Sequence, residues 1–239
     1  MIRIDNLNKA FGKHQVLKDI NLEFLKGQSV ALIGPNGSGK TTLIKALLGL
    51  VVADGDIRVG GAAIKGHSDY RRQIGYMPQM SRFPDNMSVD QLFSMMKDLR
   101  SDTKPGSYDL DLYKTFEIDK MKTKRLSILS GGMKQKVSAA LAFLFDPPIL
   151  ILDEPTAGLD PVSNEILKDK LKQEIHKGKL VLITSHILND LDEITTHVAY
   201  LMEGELKFFK SLDQLKAETS ESRLNRIIAQ MLNQEKVYV

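Results

Sequence analysis

The stretch Gly34-Pro35-Asn36-Gly37-Ser38-Gly39-Lys40-Thr41 decides how this chain is read. It follows the continuous apolar run Ser29-Val30-Ala31-Leu32-Ile33 and leads into a helical run over residues 42–48. A strand, a glycine-rich loop and a helix start, in that order, turn successive backbone N–H groups toward an anion, and the helix N-terminus adds positive potential. The spacing G-x-x-x-x-G-K-T adds two side chains at fixed reach. Lys40 suits the β- and γ-phosphates of a nucleotide as a point charge, and the Thr41 hydroxyl suits Mg²⁺. Without the flanking strand and helix, the same string would read as a glycine-rich turn.

Outward from this loop, short apolar runs alternate with longer helical patterns, which predicts a parallel α/β architecture. Residues 149–152 (ILIL) and 180–184 (LVLIT) are continuous like 29–33, as expected of strands buried on both faces. Ile20, Leu22 and Phe24 alternate, and residues 197–201 and 205–209 bracket a Glu203-Gly204 turn. These half-buried candidates predict an antiparallel sheet beside the parallel core. From Gln79 to Phe145 strand signals fade. Val89, Leu92, Phe93, Met96 and Leu99 share a helical face, Lys104-Pro105-Gly106-Ser107 reads as a loop, and a second helical pattern covers 110–116. The tail from Leu212 is polar and helical in pattern.

Asp153 and Glu154 close the ILIL strand, where side chains of an open α/β sheet reach the ligand crevice. There Asp153 suits a Mg²⁺–water ligand, and Glu154 a general base acting on a water at the γ-phosphate. Alone, such a pair is commonly a helix cap; beside a phosphate loop it reads as catalytic. Leu129-Ser130-Gly131-Gly132-Met133 is a second small-residue turn feeding a helix (residues 134–145), a weak anion signal by itself.

Composition narrows the class. The 239 residues are 42% hydrophobic and 26% charged, which excludes disordered and collagenous chains. No cysteine is present, which excludes thiolate catalysis, cysteine zinc sites, Fe–S clusters and disulfide frameworks, and fits a reducing compartment. A net charge of +3 gives no nucleic-acid signature. The N-terminus lacks a secretory apolar core, and no apolar run approaches the ~20 residues of a membrane span. His14, His67, His176 and His197 show no metal-ligand spacing. Met77, Met80, Met87, Met95 and Met96 suit either an adaptable docking surface or core filling. Lys120, Lys122, Lys124, Arg125, Lys134 and Lys136 surround the 129–133 turn with no acid among them, read as a solvated face or one favouring anionic lipid or a facing nucleotide.

The 129–133 string, between the phosphate loop and Asp153-Glu154, resembles the signature of ABC-type ATPases, and the chain is similar to an ABC transporter nucleotide-binding subunit from Phe11 to about Phe209. The motifs stand in the family order. Phe11, followed by Gly12, occupies the place of the adenine-stacking aromatic. Gln79 in Tyr76-Met77-Pro78-Gln79 matches the Q-loop, Ala157-Gly158-Leu159-Asp160 the D-loop, and Thr184-Ser185-His186 the switch histidine. One departure is visible: Met133 stands where the commonest signature has Gln.

The resemblance implies a P-loop NTPase (RecA-like) α/β core with an antiparallel β subdomain, over residues 1–78 and 146–211. It further implies an inserted helical subdomain over 79–145 and a helical tail over 212–239. It implies ATP and Mg²⁺ as cofactors. Val16, Gly34, Asn36, Gly37, Ser38, Gly39, Lys40, Thr41 and Thr42 would join Phe11 in holding nucleotide. Thr41, Gln79 and Asp153 would face the metal, and Lys40, Gln79, Glu154 and His186 would serve catalysis. Ser130, Gly131, Gly132 and Asp160 would act in trans on a second copy or a homologous subunit, in a head-to-tail dimer holding two ATP molecules.

Implied partners are integral membrane subunits and no nucleic acid, with the chain cytoplasmic and peripheral on the inner face of the membrane. The alternative is a soluble ABC ATPase acting on nucleic acid or ribosomes. Against it, only about 90 residues separate Lys40 from Ser130, too few for a long coiled coil, and one set of motifs is present. A kinase or GTPase of another P-loop class would not need a signature, and no NKxD motif occurs. Residues 70–79 and 137–145 resemble ATPase subunits of copper-processing transporters, and the Met-Lys-Gln after the glycines resembles exporter-type ATPases.

Overall fold

The computed structural model describes residues 1–100, 107–185 and 187–237. His186 and most of the expected 104–107 loop lie outside the described residues. The chain runs β1 (Ile2–Phe11), β2 (His14–Phe24), β3 (Ser29–Ile33), α1 (Lys40–Leu47), β4 (Asp54–Val59), β5 (Ala62–Ala63) and β6 (Ile74–Met77). Helices α2 (Val89–Leu99), α3 (Asp111–Thr115) and α4 (Gly131–Phe143) follow, then β7 (Ile149–Asp153), α5 (Pro161–His176) and β8 (Leu180–Thr184). The chain continues through β9 (His197–Met202), β10 (Glu205–Ser211), α6 (Leu212–Thr219) and α7 (Leu224–Val237).

Two sheets result. One is antiparallel, in the order β2-β1-β4-β5; the other is ordered β10-β9-β3-β8-β7-β6 and is parallel from β9 to β6. The fold is thus the expected α/β core with an antiparallel sheet beside it, but the β9–β10 hairpin belongs elsewhere than expected. β9 runs parallel to β3, pairing Val30 with His197 and Ile33 with Tyr200, and β10 is its antiparallel edge. Burial explains the placement. Val198, Ala199, Tyr200 and Leu201 are all buried, which requires cover on both faces of that strand.

The central sheet divides the core by strand alternation. Ala31, Ile33, Leu150, Leu152, Val181 and Ile183 pack on one side with α2–α5. Val30, Leu32, Ile149, Ile151, Leu180 and Leu182 pack on the other with α1 and the antiparallel sheet. Successive side chains of a strand point to opposite faces, so continuous apolar runs are what a doubly covered sheet needs.

Helix α2 buries Val89, Leu92 and Phe93, while Leu99, at its end, is 68% exposed rather than on the core face. Ser88 starts the helix with a reciprocal cap: its hydroxyl accepts from the Gln91 amide and the Gln91 side chain accepts from the Ser88 amide. Met77 is fully buried, Met87, Met95 and Met96 pack against the core, and Met80 is exposed, so core filling accounts for most of that group. The tail is less polar in place than in sequence. Leu215, Leu224, Ile227 and Ile228 are buried with Leu191 and Ile194, and the Leu224 amide donates to Asp192 at 2.8 Å.

Candidate functional site

Parallel strands with a common direction deliver their C-terminal ends to one edge. In register, Leu32 of β3 faces Thr184 of β8, Thr184 faces Asp153 of β7, and Leu152 faces Met77 of β6. The phosphate loop, Asp153-Glu154 and Gln79 therefore emerge side by side, spread over three inter-strand steps of about 4.8 Å.

The loop itself is braced from beneath. Gly34 lies so close to β9 that a Cβ there would sit 2.0 Å from the Leu201 carbonyl oxygen. Gly34→Ala is expected to cost about 3 kcal/mol, read as a lowered denaturation midpoint, because a backbone neighbour cannot move aside. An unchanged midpoint would refute this close approach. The Glu203-Gly204 turn supports the loop as well: the Gly204 amide donates to the Ser38 carbonyl at 3.2 Å. The Val16 carbonyl packs beside Gly39, which brings β2 against the loop.

Ser38 is 2% exposed, and its hydroxyl has no partner among the described residues. Helix α1 starts without a side-chain cap and without an acid in its first turn. Both features suit an anion, since the amides of a helix start lack internal acceptors. Lys40 donates to the Gly34 and Pro35 carbonyls at 2.6 and 3.0 Å. Its pKa is lowered by burial, against the opposing pull of Glu154 and then Asp153. The ammonium is therefore within electrostatic reach of both carboxylates. Asn36, Gly37 and Thr41 are exposed and Thr42 is half-buried.

Across the edge, Asp153 is buried and accepts from the Thr184 hydroxyl at 2.5 Å. Thr184 also receives the Glu154 amide, at 3.1 Å on its carbonyl and 3.0 Å on its hydroxyl. Glu154 adopts φ +51, a left-handed conformation that costs of order 1–3 kcal/mol in a non-glycine residue. Thr184 thus holds both acids, a role invisible in sequence because it depends on the register between β7 and β8. Burial, and then Asp153, push the Tyr76 phenol up to about 12. Gln79 is exposed two residues beyond β6. Phe11 is 52% exposed at the tip of the β1–β2 ribbon, with the Lys9 ammonium 4.9 Å from its ring centroid.

The residues expected to act in trans gather separately, around the start of α4. Ser130 caps this helix, its hydroxyl accepting from the Met133 main-chain amide at 3.3 Å. The cap uses the backbone, and the Met133 side chain packs against the core, so replacing Gln costs the cap nothing. Gly131 is exposed, and Gly132 lies against Gly158. Asp160 caps α5 by accepting from the Ser163 amide and hydroxyl at 2.9 and 2.7 Å.

The sequence profile of the family described as "ABC transporter" matches residues 17–157. The chain belongs to the ABC transporter family. It is 34% identical over 222 residues to the ABC transporter ATP-binding protein YtrB of Bacillus subtilis, covering 91% of this chain and 74% of that one. It is 33% identical to the lantibiotic transport ATP-binding protein SrtF of Streptococcus pyogenes, covering 89% of this chain and 92% of the relative. A solved structure described as the ATP-binding subunit of an ABC transporter superposes with TM-score 0.90 at 27% identity, over 97% of this chain and 99% of the other. The fold built above is therefore that of an ABC cassette.

Proposed function

We propose that this ABC family member binds and hydrolyses ATP between two cassettes arranged head to tail and so drives transport through separate membrane subunits. One observation carries the reading: a single sheet edge presents the phosphate loop, Lys40, and an Asp153-Glu154 pair held by Thr184. The buried, unpartnered Ser38 hydroxyl and the uncapped start of α1 fit a phosphate chain. Thr41, Gln79 and Asp153 offer hard oxygen donors, which suit Mg²⁺. Bound there, Mg²⁺ would neutralise charge on the β- and γ-phosphates.

The chain's own groups supply the rest. Lys40 and the loop amides orient the phosphates, and Phe11 offers a ring face to adenine. Asp153, fixed by Thr184, would offer a carboxylate oxygen to the metal. Glu154 polarises the attacking water, and His186 contacts the γ-phosphate in the manner the family resemblance implies. Ser130, Gly131, Gly132 and Asp160 meet the partner's nucleotide. Exposed apolar residues beside these motifs, Ile128 and Val162, suit burial against a second copy.

Among the described residues, no helix is long and apolar enough to cross a membrane. The proposal therefore places the chain at the inner face of the cell membrane through a membrane partner. The relatives' names as transporter ATP-binding proteins support that role, and the nucleic-acid alternative gains nothing from them. An ABC-2-type export role is proposed with it, and the copper-processing subtype rests on residues 70–79 and 137–145 alone.

Calorimetric titration with Mg·ATP tests the nucleotide site. Lys40→Ala should weaken binding about ten- to a hundredfold, the value of a charged hydrogen bond to phosphate. Unchanged affinity would overturn the phosphate-loop assignment.

A further inference from the structure

The first turns of α4 touch two loops at once. Gln135 is 4% exposed, and its Oε1 accepts from the Ser81 hydroxyl at 3.0 Å, two residues beyond Gln79. Lys136, the next residue, extends to Asp160, with Nζ 2.9 Å from Oδ2. One turn earlier, a Cβ on Gly132 would stand 2.8 Å from the Gly158 carbonyl oxygen, so helix and loop backbones meet there directly. Adjacent helical residues point about 100° apart, which lets one helix hold two neighbours on different sides.

Asp160 is already satisfied as a helix cap by Ser163, so α5 does not need Lys136 in order to start. What Lys136 adds is a tie between α5 and α4. The Asp160 carboxyl lies well below the usual carboxylate range, held there by the Ser163 amide first and the Lys136 hydrogen bond next. The Asp160 carboxyl is therefore charged across the working pH range.

We infer that Lys136 is a positioning residue for ATP hydrolysis, locking residues 157–160 to the start of α4 so that both stretches meet the partner's nucleotide as one unit. Gln135 ties that unit to the segment after Gln79. The inference rests on the proposed ATP-sandwich reading. Two stretches that must engage one ligand on a neighbouring subunit need a fixed mutual spacing, and preorganisation of this kind affects turnover more than binding.

The test uses the full chain, with Lys136→Met, Lys136→Arg, Asp160→Asn and the Lys136→Met/Asp160→Asn double variant. Asn keeps the capping ability of Asp. Lys136→Met should lower kcat about tenfold, with KM for ATP and the unfolding midpoint unchanged. Lys136→Arg should restore most of that loss, and the double variant should be no slower than either single one. Hydrogen exchange at the amides of residues 157–160 should quicken in Lys136→Met while β3, β7 and β8 stay protected.

A kcat within about twofold of the parent, or additive losses, would overturn the inference. So would a kcat loss matched by a lower midpoint. If the parent shows no Glu154-dependent hydrolysis, the ATPase reading fails on its own. The exchange measurement still decides the lock, because unchanged protection at 157–160 in Lys136→Met overturns it.

Discussion

Glu154→Gln should lower ATP turnover about a thousandfold, within the range assigned to a lost general base, while leaving ATP binding intact. Gln keeps the size and the hydrogen-bonding shape of Glu but cannot take a proton from water. The backbone that positions residue 154 does not change, because its amide is held by the Thr184 carbonyl and hydroxyl at 3.1 and 3.0 Å. Lys40 and the loop amides also remain, so nucleotide still enters. The substitution removes the larger of the two negative charges that act on the Lys40 ammonium, which leaves that charge for the polyphosphate. With hydrolysis blocked, the bridging γ-phosphate persists and the dimer accumulates. Phosphate release and size-exclusion chromatography with and without Mg·ATP read both effects. A variant with full phosphate release would remove Glu154 from the base role. A variant that no longer binds ATP would mean that Glu154 shapes the site rather than acting in it.

The parts of this site legible in sequence are those set by position on one strand. β3, β7 and β8 are unbroken apolar runs because both faces of their sheet are covered, and each run ends on a chemical residue or loop. Strands with a broken pattern were less legible. β1 shifts register between Ile4 and Leu7, with Asn6 at φ +50, so its inward residues Ile2, Ile4 and Leu7 fall out of phase. β6 is four residues long and contains Gly75, where the Ala142 carbonyl oxygen would lie 2.1 Å from a Cβ. That glycine interrupts the apolar run and serves close packing of α4. For β9, the local turn at Glu203-Gly204 revealed the hairpin, but the neighbour on its other edge, β3, lies far earlier in the chain.

Charge partners were the least legible. The lysines around the signature read as a solvated face without acids, yet Lys120 pairs with Glu117 at 2.7 Å, Lys122 with Asp119 at 3.0 Å and Lys136 with Asp160 at 2.9 Å. The first two acids lie three residues before their lysines, just ahead of the basic stretch. The third is brought in by the fold. Nothing local tells which partners Thr184 and Lys136 meet, because those contacts are made across the sheet and between helices.

Glu174→Gln should remove about 3–5 kcal/mol of stability, the cost of breaking a buried ionic network from one side. Glu174 on α5 is fully buried among three lysines. Lys170 lies 3.2 Å away and Lys177 2.8 Å away, and Lys179 forms a further ion pair with it. Lys170 also bonds Asp109 at 2.7 Å and reaches Asp111 at 3.2 Å, and Lys179 bonds Asp146. Asp109 precedes α3 and Asp146 follows α4, so the network fastens the helical stretch to α5. Burial alone would raise the Glu174 pKa, but Lys177, Lys179 and Lys170 together outweigh it and bring the carboxyl from 4.5 down to about 2. Because the folded value lies below the unfolded one, this carboxylate stabilises fully above pH 4.5, by about 3 kcal/mol, and loses that contribution as pH falls toward 2. Glu174→Gln should therefore lower the denaturation midpoint at pH 7 and flatten the fall in stability between pH 4.5 and 2. A loss under about 1 kcal/mol at pH 7 would mean that the lysines find equal partners without Glu174, and that the helical stretch is held by its apolar contacts alone.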